Sequence, residues 1–184
     1  MRIPDWSPEA APRDEALLDA ILERRGGKFL NLDLALLWSE PLARGWNAYV
    51  GAVRRELAID PRLKEIAICT VARITGADYE FHHHWPEYVR AGGADALRPR
   101  IMDPGSAATD SEFTPDERLA IRYAITMTRD VRVPDSLFRL LRERFSTTEI
   151  VELTAAIATY NMVARMLLAL EVEDERKAPP KERQ

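Results

Sequence analysis

Apolar residues recur at helical spacing along almost the whole chain, and no stretch shows the strict apolar–polar alternation of a half-buried strand. Leu17, Leu18, Ile21 and Leu22 mark one face of a helix over residues 14–25, which Gly26 and Gly27 stop. Residues 28–39 carry a short apolar helix that starts after Asn31. Pro41 opens the next helix as a first-turn proline, with Leu42, Trp46, Tyr49, Val50 and Val53 on one face to about Leu57. Asp60 and Pro61, a cap and a first-turn proline, begin a helix that reaches Thr75 and ends at Gly76. The helix after it spans Asp78 to Ala91 and is closed by Gly92 and Gly93.

The second half follows the same rules. Residues 94–113 read as a turn-rich connection with at most one short helix near its start. Thr114-Pro-Asp-Glu117 is a capping box, and the helix it opens carries Leu119, Ala120, Tyr123, Ala124 and Met127. Another helix starts near Asp135 with Leu137, Phe138, Leu141 and Phe145 on its apolar face. Ser146-Thr-Thr-Glu149 is a second capping box, and the helix behind it, to about Val172, is apolar nearly all round from Leu153 to Leu170. That pattern predicts burial within the domain or at an oligomer interface. A faint echo links Leu63-Lys-Glu65-Ile with Ile150-Val-Glu152-Leu, which would make two related helical hairpins. The expected fold is all-α, a single domain of about seven or eight helices over residues 14–172.

The ends differ from this pattern. Pro4, Pro8 and Pro12 prevent a helix over residues 1–13, which read as an extended arm on the surface or on a neighbouring subunit. Residues 173–184 hold charge and proline but nothing to bury, and are expected to be disordered.

Composition narrows the function classes. The 184 residues are 46% hydrophobic with a net charge of -4, an ordinary balance that gives no basic field for nucleic acid or an anionic membrane. No hydrophobic run approaches the roughly 20 residues of a membrane span, and the N-terminus has no apolar signal core, so the expected location is cytoplasmic. The single cysteine, Cys69, excludes an internal disulfide framework and a multi-cysteine zinc site.

The candidate chemistry gathers in the central hairpin, Glu65 to Gly93, which holds all three histidines and Cys69. Glu65 lies among Leu63, Ile66, Ala67, Ile68 and Val71, with Cys69 one turn along. A carboxylate in that setting is either a structural bridge to Arg73 or Arg54, or a group whose raised pKa suits proton transfer. On the second helix Phe81, Trp85, Tyr88 and Val89 form the core stripe, with Glu80 and His84 four apart on one edge. His82 falls on the opposite edge, and His83 points with Tyr79, Pro86 and Arg90 toward solvent. Successive residues project about 100° apart, so the triple histidine is not one metal-binding cluster. Glu80 is placed to orient the His84 imidazole; the alternative is a half-buried histidine bonded to a structural glutamate. Pro86 predicts a kink or restart. Glu80-x-x-His83 has the spacing of a di-iron ligand pair, but no histidine remains for a second such pair, so a di-iron site is not expected and a mononuclear site on His83 or His84 is the remaining metal option. No glycine-rich phosphate loop and no nucleophile elbow is present.

These residues resemble the core of the carboxymuconolactone decarboxylase-like family, which includes the alkylhydroperoxidase D group. The resemblance rests on Glu65-Ile-Ala-Ile-Cys-Thr-Val-Ala-Arg, then Ala77-Asp-Tyr79-Glu80-Phe-His-His-His84, then Arg90-Ala-Gly-Gly. The flanks Leu30-Asn-Leu, Ser39-Glu-Pro41 and Tyr160-Asn161-Met-Val-Ala-Arg165 extend it over residues 28–172. It implies a helical-hairpin fold that assembles as trimers or hexamers, with active sites near subunit interfaces. In the peroxidase branch a glutamate, a Cys-x-x-Cys pair and a histidine form a proton relay; Glu65 and His84 match its ends. The two cysteine positions fall on Ala77 and Glu80, so the dithiol is absent, and a redox role would rest on Cys69 alone. The Tyr-Glu-x-x-x-His form resembles the decarboxylase branch, which implies cofactor-independent acid/base chemistry on a small carboxylated lactone or ring acid. On that resemblance His84, Glu80 and Glu65 are the catalytic candidates. Tyr79, Trp85, Asn161 and Arg165 are candidates for binding substrate, Asn161 and Arg165 through its carboxylate, with a buried inter-subunit bridge as the other role for Arg165. A non-catalytic helical oligomer, in which the same residues form a structural polar network, is the remaining alternative.

Overall fold

The structure, a computed structural model, describes residues 1–9 and 14–175. Its regular elements are all helical there: ten α-helices and one short 3-10 turn. They are α1 (Glu15–Arg25), α2 (Asn31–Leu36), α3 (Glu40–Arg55), α4 (Pro61–Thr75), α5 (Asp78–Arg90), the 3-10 turn Asp95–Leu97, α6 (Arg98–Ile101), α7 (Pro104–Ala107), α8 (Pro115–Arg129), α9 (Asp135–Arg144) and α10 (Thr147–Ala169). Residues 94–113 are therefore more ordered than the sequence pattern indicates. Two four-residue helices are too short to show a 3.6-residue period, although Asp103 caps the second through Gly105 N.

The punctuation acts as expected elsewhere. Asp60 accepts from Arg62 N at the start of α4, and Gly76 ends it at φ 77°. Thr114 and Glu117 exchange their two capping bonds at α8, as Ser146 and Glu149 do at α10. Pro86 lies on the exposed side of α5, and the helix runs through it without a break.

The chain divides into two compact units, one of Met1–Glu56 with the chain from Leu167 onward, the other Leu57–Met166. In the first, Asp33 is buried and takes ion pairs from Arg24 and Arg25 while capping its own helix at Leu30 N. Residues 1–9 do not lie free: Trp6 is buried, Arg2 N donates to Leu170 O and Trp38 Nε1 donates to Pro4 O. Of the stretch expected to be disordered, residues 173–175 are held, because Asn31 donates to Glu173 O and Glu175 Oε1 and Asp174 is buried. The rest of that tail, and residues 10–13 of the arm, lie outside the described residues.

In the second unit α4 is the central helix. It is buried from Leu63 to Ala72 and packs along α5 and α8. α10 lies against the same group, with Leu153, Ala156, Ile157, Tyr160, Val163 and Ala164 buried and Tyr123 of α8 bonded to Thr154. By length and composition α10 is apolar enough to cross a membrane, which the sequence reading excluded; half of that stretch is buried within the protein. Glu152, the echo of Glu65, accepts from Ile59 N and so secures the entry to α4.

Candidate functional site

Two helices of the central hairpin bring the chemistry together. α4 supplies Lys64, Glu65 and Cys69; α5 supplies Glu80 and His84; all five are buried. His84 Nδ1 donates to Glu65 Oε2 across 2.6 Å, and His84 is 3% exposed. Lys64 Nζ stands 3.6 Å from the other Glu65 oxygen. The Tyr160 ring of α10 meets the imidazole edge-on, with centroids 4.5 Å apart.

The orienting carboxylate is thus Glu65 and not Glu80, contrary to the expectation drawn from the four-residue spacing on α5. Spacing within one helix identifies neighbours on that helix; the register between α4 and α5 decides which acid reaches Nδ1. A carboxylate on Nδ1 fixes the ring orientation and its tautomer. Arg73 does not bridge Glu65. It pairs with Asp78 and lies over the Phe81 ring.

Glu80 is the anomaly of the site. It is 2% exposed, and neither carboxyl oxygen has a hydrogen-bond partner among the described residues. Burial pushes its pKa well above the usual carboxylate range, because the charged form loses its hydration there. Cys69 is fully buried, and burial first, then Glu65 and Glu80, push its thiol pKa well above its ordinary value. Such a thiol carries little thiolate and is a poor nucleophile.

The remaining candidates separate. His83 packs against the Tyr79 ring at 4.5 Å, and both are half-buried rather than facing open solvent. Trp85 stacks on Phe81 and donates to Asp95, a bond that ties α5 to the 3-10 turn. Asn161 donates to Thr128 of α8, and exposed Arg165 folds back onto Asn161. These two follow Tyr160 on α10, but their bonds run to α8 and to α10 itself, and none runs to His84. Lys64 and Tyr160 are the site neighbours that sequence chemistry did not single out. Lys64 had a signal, since it adjoins Glu65 in an otherwise apolar run; Tyr160 had none beyond its place in the flanking resemblance.

No family model matches the chain, and no curated protein matches it. Solved structures do. A peroxidase-related protein from Ralstonia eutropha JMP134, described as an alkylhydroperoxidase D core, superposes with a TM-score of 0.79 at 17% identity, over 95% of this chain and 92% of that one. A second peroxidase-related protein, from Silicibacter sp. TM1040, gives 0.75 at 18% identity over 90% and 88%. A variant of the debrominase Bmp8 in complex with 2,3,4-tribromopyrrole gives 0.74 at 18% identity over 93% and 90%. These likenesses extend over nearly the full length of every chain compared. The protein has the alkylhydroperoxidase D-like fold.

Proposed function

We propose that the protein is a cofactor-independent enzyme of carboxymuconolactone decarboxylase type, moving protons on a small carboxylated lactone or related ring acid. The observation that carries this reading is the 2.6 Å bond from His84 Nδ1 to Glu65 Oε2 in a buried setting. Histidine is the side chain best suited to gain and lose a proton near neutral pH, and the buried carboxylate balances the imidazolium. In decarboxylation the bond between ring carbon and carboxylate breaks and carbon dioxide leaves. The electron pair passes through the conjugated ring onto the lactone carbonyl oxygen as an enolate, and returns to carbon as His84 delivers its Nε2 proton there. Solvent restores that proton. In isomerisation the imidazole takes a proton from one carbon and returns it to another.

His84 is nearly closed off, so substrate entry requires the side chains over it, Tyr160 among them, to give way. The reading includes a cytoplasmic trimer or hexamer. Thiol peroxidase chemistry is disfavoured, because Cys69 is buried with a raised pKa and the chain has no second cysteine to resolve it. The test is turnover of a panel of lactone acids by wild type and His84→Ala. The reading expects a loss of about 100- to 10,000-fold in kcat with the oligomer intact. Unchanged turnover would remove His84 from the mechanism.

A further inference from the structure

The site described so far uses His84 and Glu65 and leaves Glu80 without a task. A buried carboxyl with no donor and no acceptor around it costs stability, and proteins normally pair such groups. Glu80 nevertheless sits one helical turn before His84 on α5, at 2% exposure, with both oxygens unpartnered among the described residues. A carboxyl group in that state holds its proton and has one strong O–H to donate. The arrangement separates two acids by environment: Glu65 bonded to an imidazole, Glu80 buried with no hydrogen-bond partner among the described residues. Environments that push titratable groups apart mark different roles in proton chemistry.

We propose that Glu80 is the oxyanion donor of the site: its O–H hydrogen-bonds the substrate oxygen on which negative charge collects while His84 handles the proton at carbon. This rests on the acid/base reading above and assigns Glu80 a role other than orienting the histidine. No bond to Glu80 forms or breaks. The electron pair released at carbon moves to the carbonyl oxygen facing Glu80, and returns when His84 protonates carbon. The substrate class follows: the reacting carbon is conjugated to a carbonyl oxygen, as in an unsaturated lactone acid. A saturated acid with no oxygen to hold the charge is excluded.

The experiment compares full-length wild type, Glu80→Gln and Glu80→Met, with 4-nitrophenolate as the probe oxyanion. Glutamine keeps a neutral N–H donor and methionine removes it at similar volume. Wild type binds the probe, Glu80→Gln binds within about 10-fold of it, and Glu80→Met loses about 100-fold or more, the size expected for one oxyanion donor. In the free proteins Glu80→Met raises Tm by about 2–4 °C, because an unpaired buried carboxyl is gone. Equal probe binding by wild type and Glu80→Met, no binding by wild type, or a lower Tm in Glu80→Met would each overturn the assignment. Failure of every lactone acid to turn over, with the probe result as expected, would count against the acid/base reading alone.

Discussion

Two glutamates of the Leu57–Met166 unit are equally buried, each 2% exposed, and their surroundings could hardly differ more. Glu117, at the start of α8, accepts from the Tyr88 hydroxyl at 2.7 Å and from Thr114 N at 2.8 Å, with Arg62 Nε 3.7 Å away. Glu80, on α5, has no hydrogen-bond partner among the described residues. The first is what a structural carboxylate looks like when buried: its lone pairs are taken, and it ties α5 to the beginning of α8. The second has the same burial without the bonds. Burial alone therefore does not distinguish a structural acid from a chemical one; the hydrogen bonds around it do.

The comparison breaks most directly at Glu117. Glu117→Ala leaves the Tyr88 hydroxyl buried without its acceptor and removes half of a capping box, so a loss of about 3 kcal/mol is expected. Urea denaturation measures it, and a loss below about 1 kcal/mol would put Glu117 in the same class as Glu80. Gly93→Ala probes the same network from the other side. A Cβ there would stand 2.3 Å from the Tyr88 ring, which Glu117 holds in place, and about 2 kcal/mol of destabilisation is expected from overpacking. Full stability in that variant would mean the ring is free to move.

A smaller effect separates the two acids by pH. Burial raises the folded-state pKa of Glu80 above its ordinary value of 4.5. Between those two values the folded protein keeps a proton that the unfolded chain releases. Glu80 thus lowers stability as pH rises through that window, by up to about 1.4 kcal/mol per pH unit. Unfolding free energy against pH for wild type and Glu80→Gln should diverge in slope above pH 4.5, and parallel curves would show that Glu80 is ionised in the folded state. The smallest expected effect is at Trp85→Phe, which keeps the stack on Phe81 but loses the bond to Asp95. It should cost about 1 kcal/mol in thermal unfolding and leave turnover unchanged. A loss of turnover without a loss of stability would return Trp85 to the substrate.

Much of the helical framework was legible because its boundaries are written in side chains. Asp60 with Pro61, Thr114 with Glu117, and Gly26 and Gly76 each mark an end by a bond or a backbone angle that few other residues supply. The short helices α6 and α7 escaped because four residues make barely one turn, too few for an apolar stripe. At the site, His84 and Glu65 could be named from their setting, but their bond could not. Glu80 lies four residues before His84, the spacing of neighbours on one helix, whereas Glu65 reaches Nδ1 only through the packing of α4 on α5. The partners of Asn161 and Arg165 were hidden for a related reason. α10 is apolar on so many sides that periodicity does not say which face meets α8 and which meets His84.

The bond between Glu65 and His84 spans only nineteen positions along the chain, within a single helical hairpin. The loop it closes is short, so its closure entropy is small and α4 and α5 can find one another early in folding. The Tyr160 ring that covers the imidazole arrives from the far end of the chain and needs a much larger loop to close. The proton-handling pair is thus assembled by local contacts and sealed by a distant one. A chain caught between those stages would hold its histidine and glutamate together in open water.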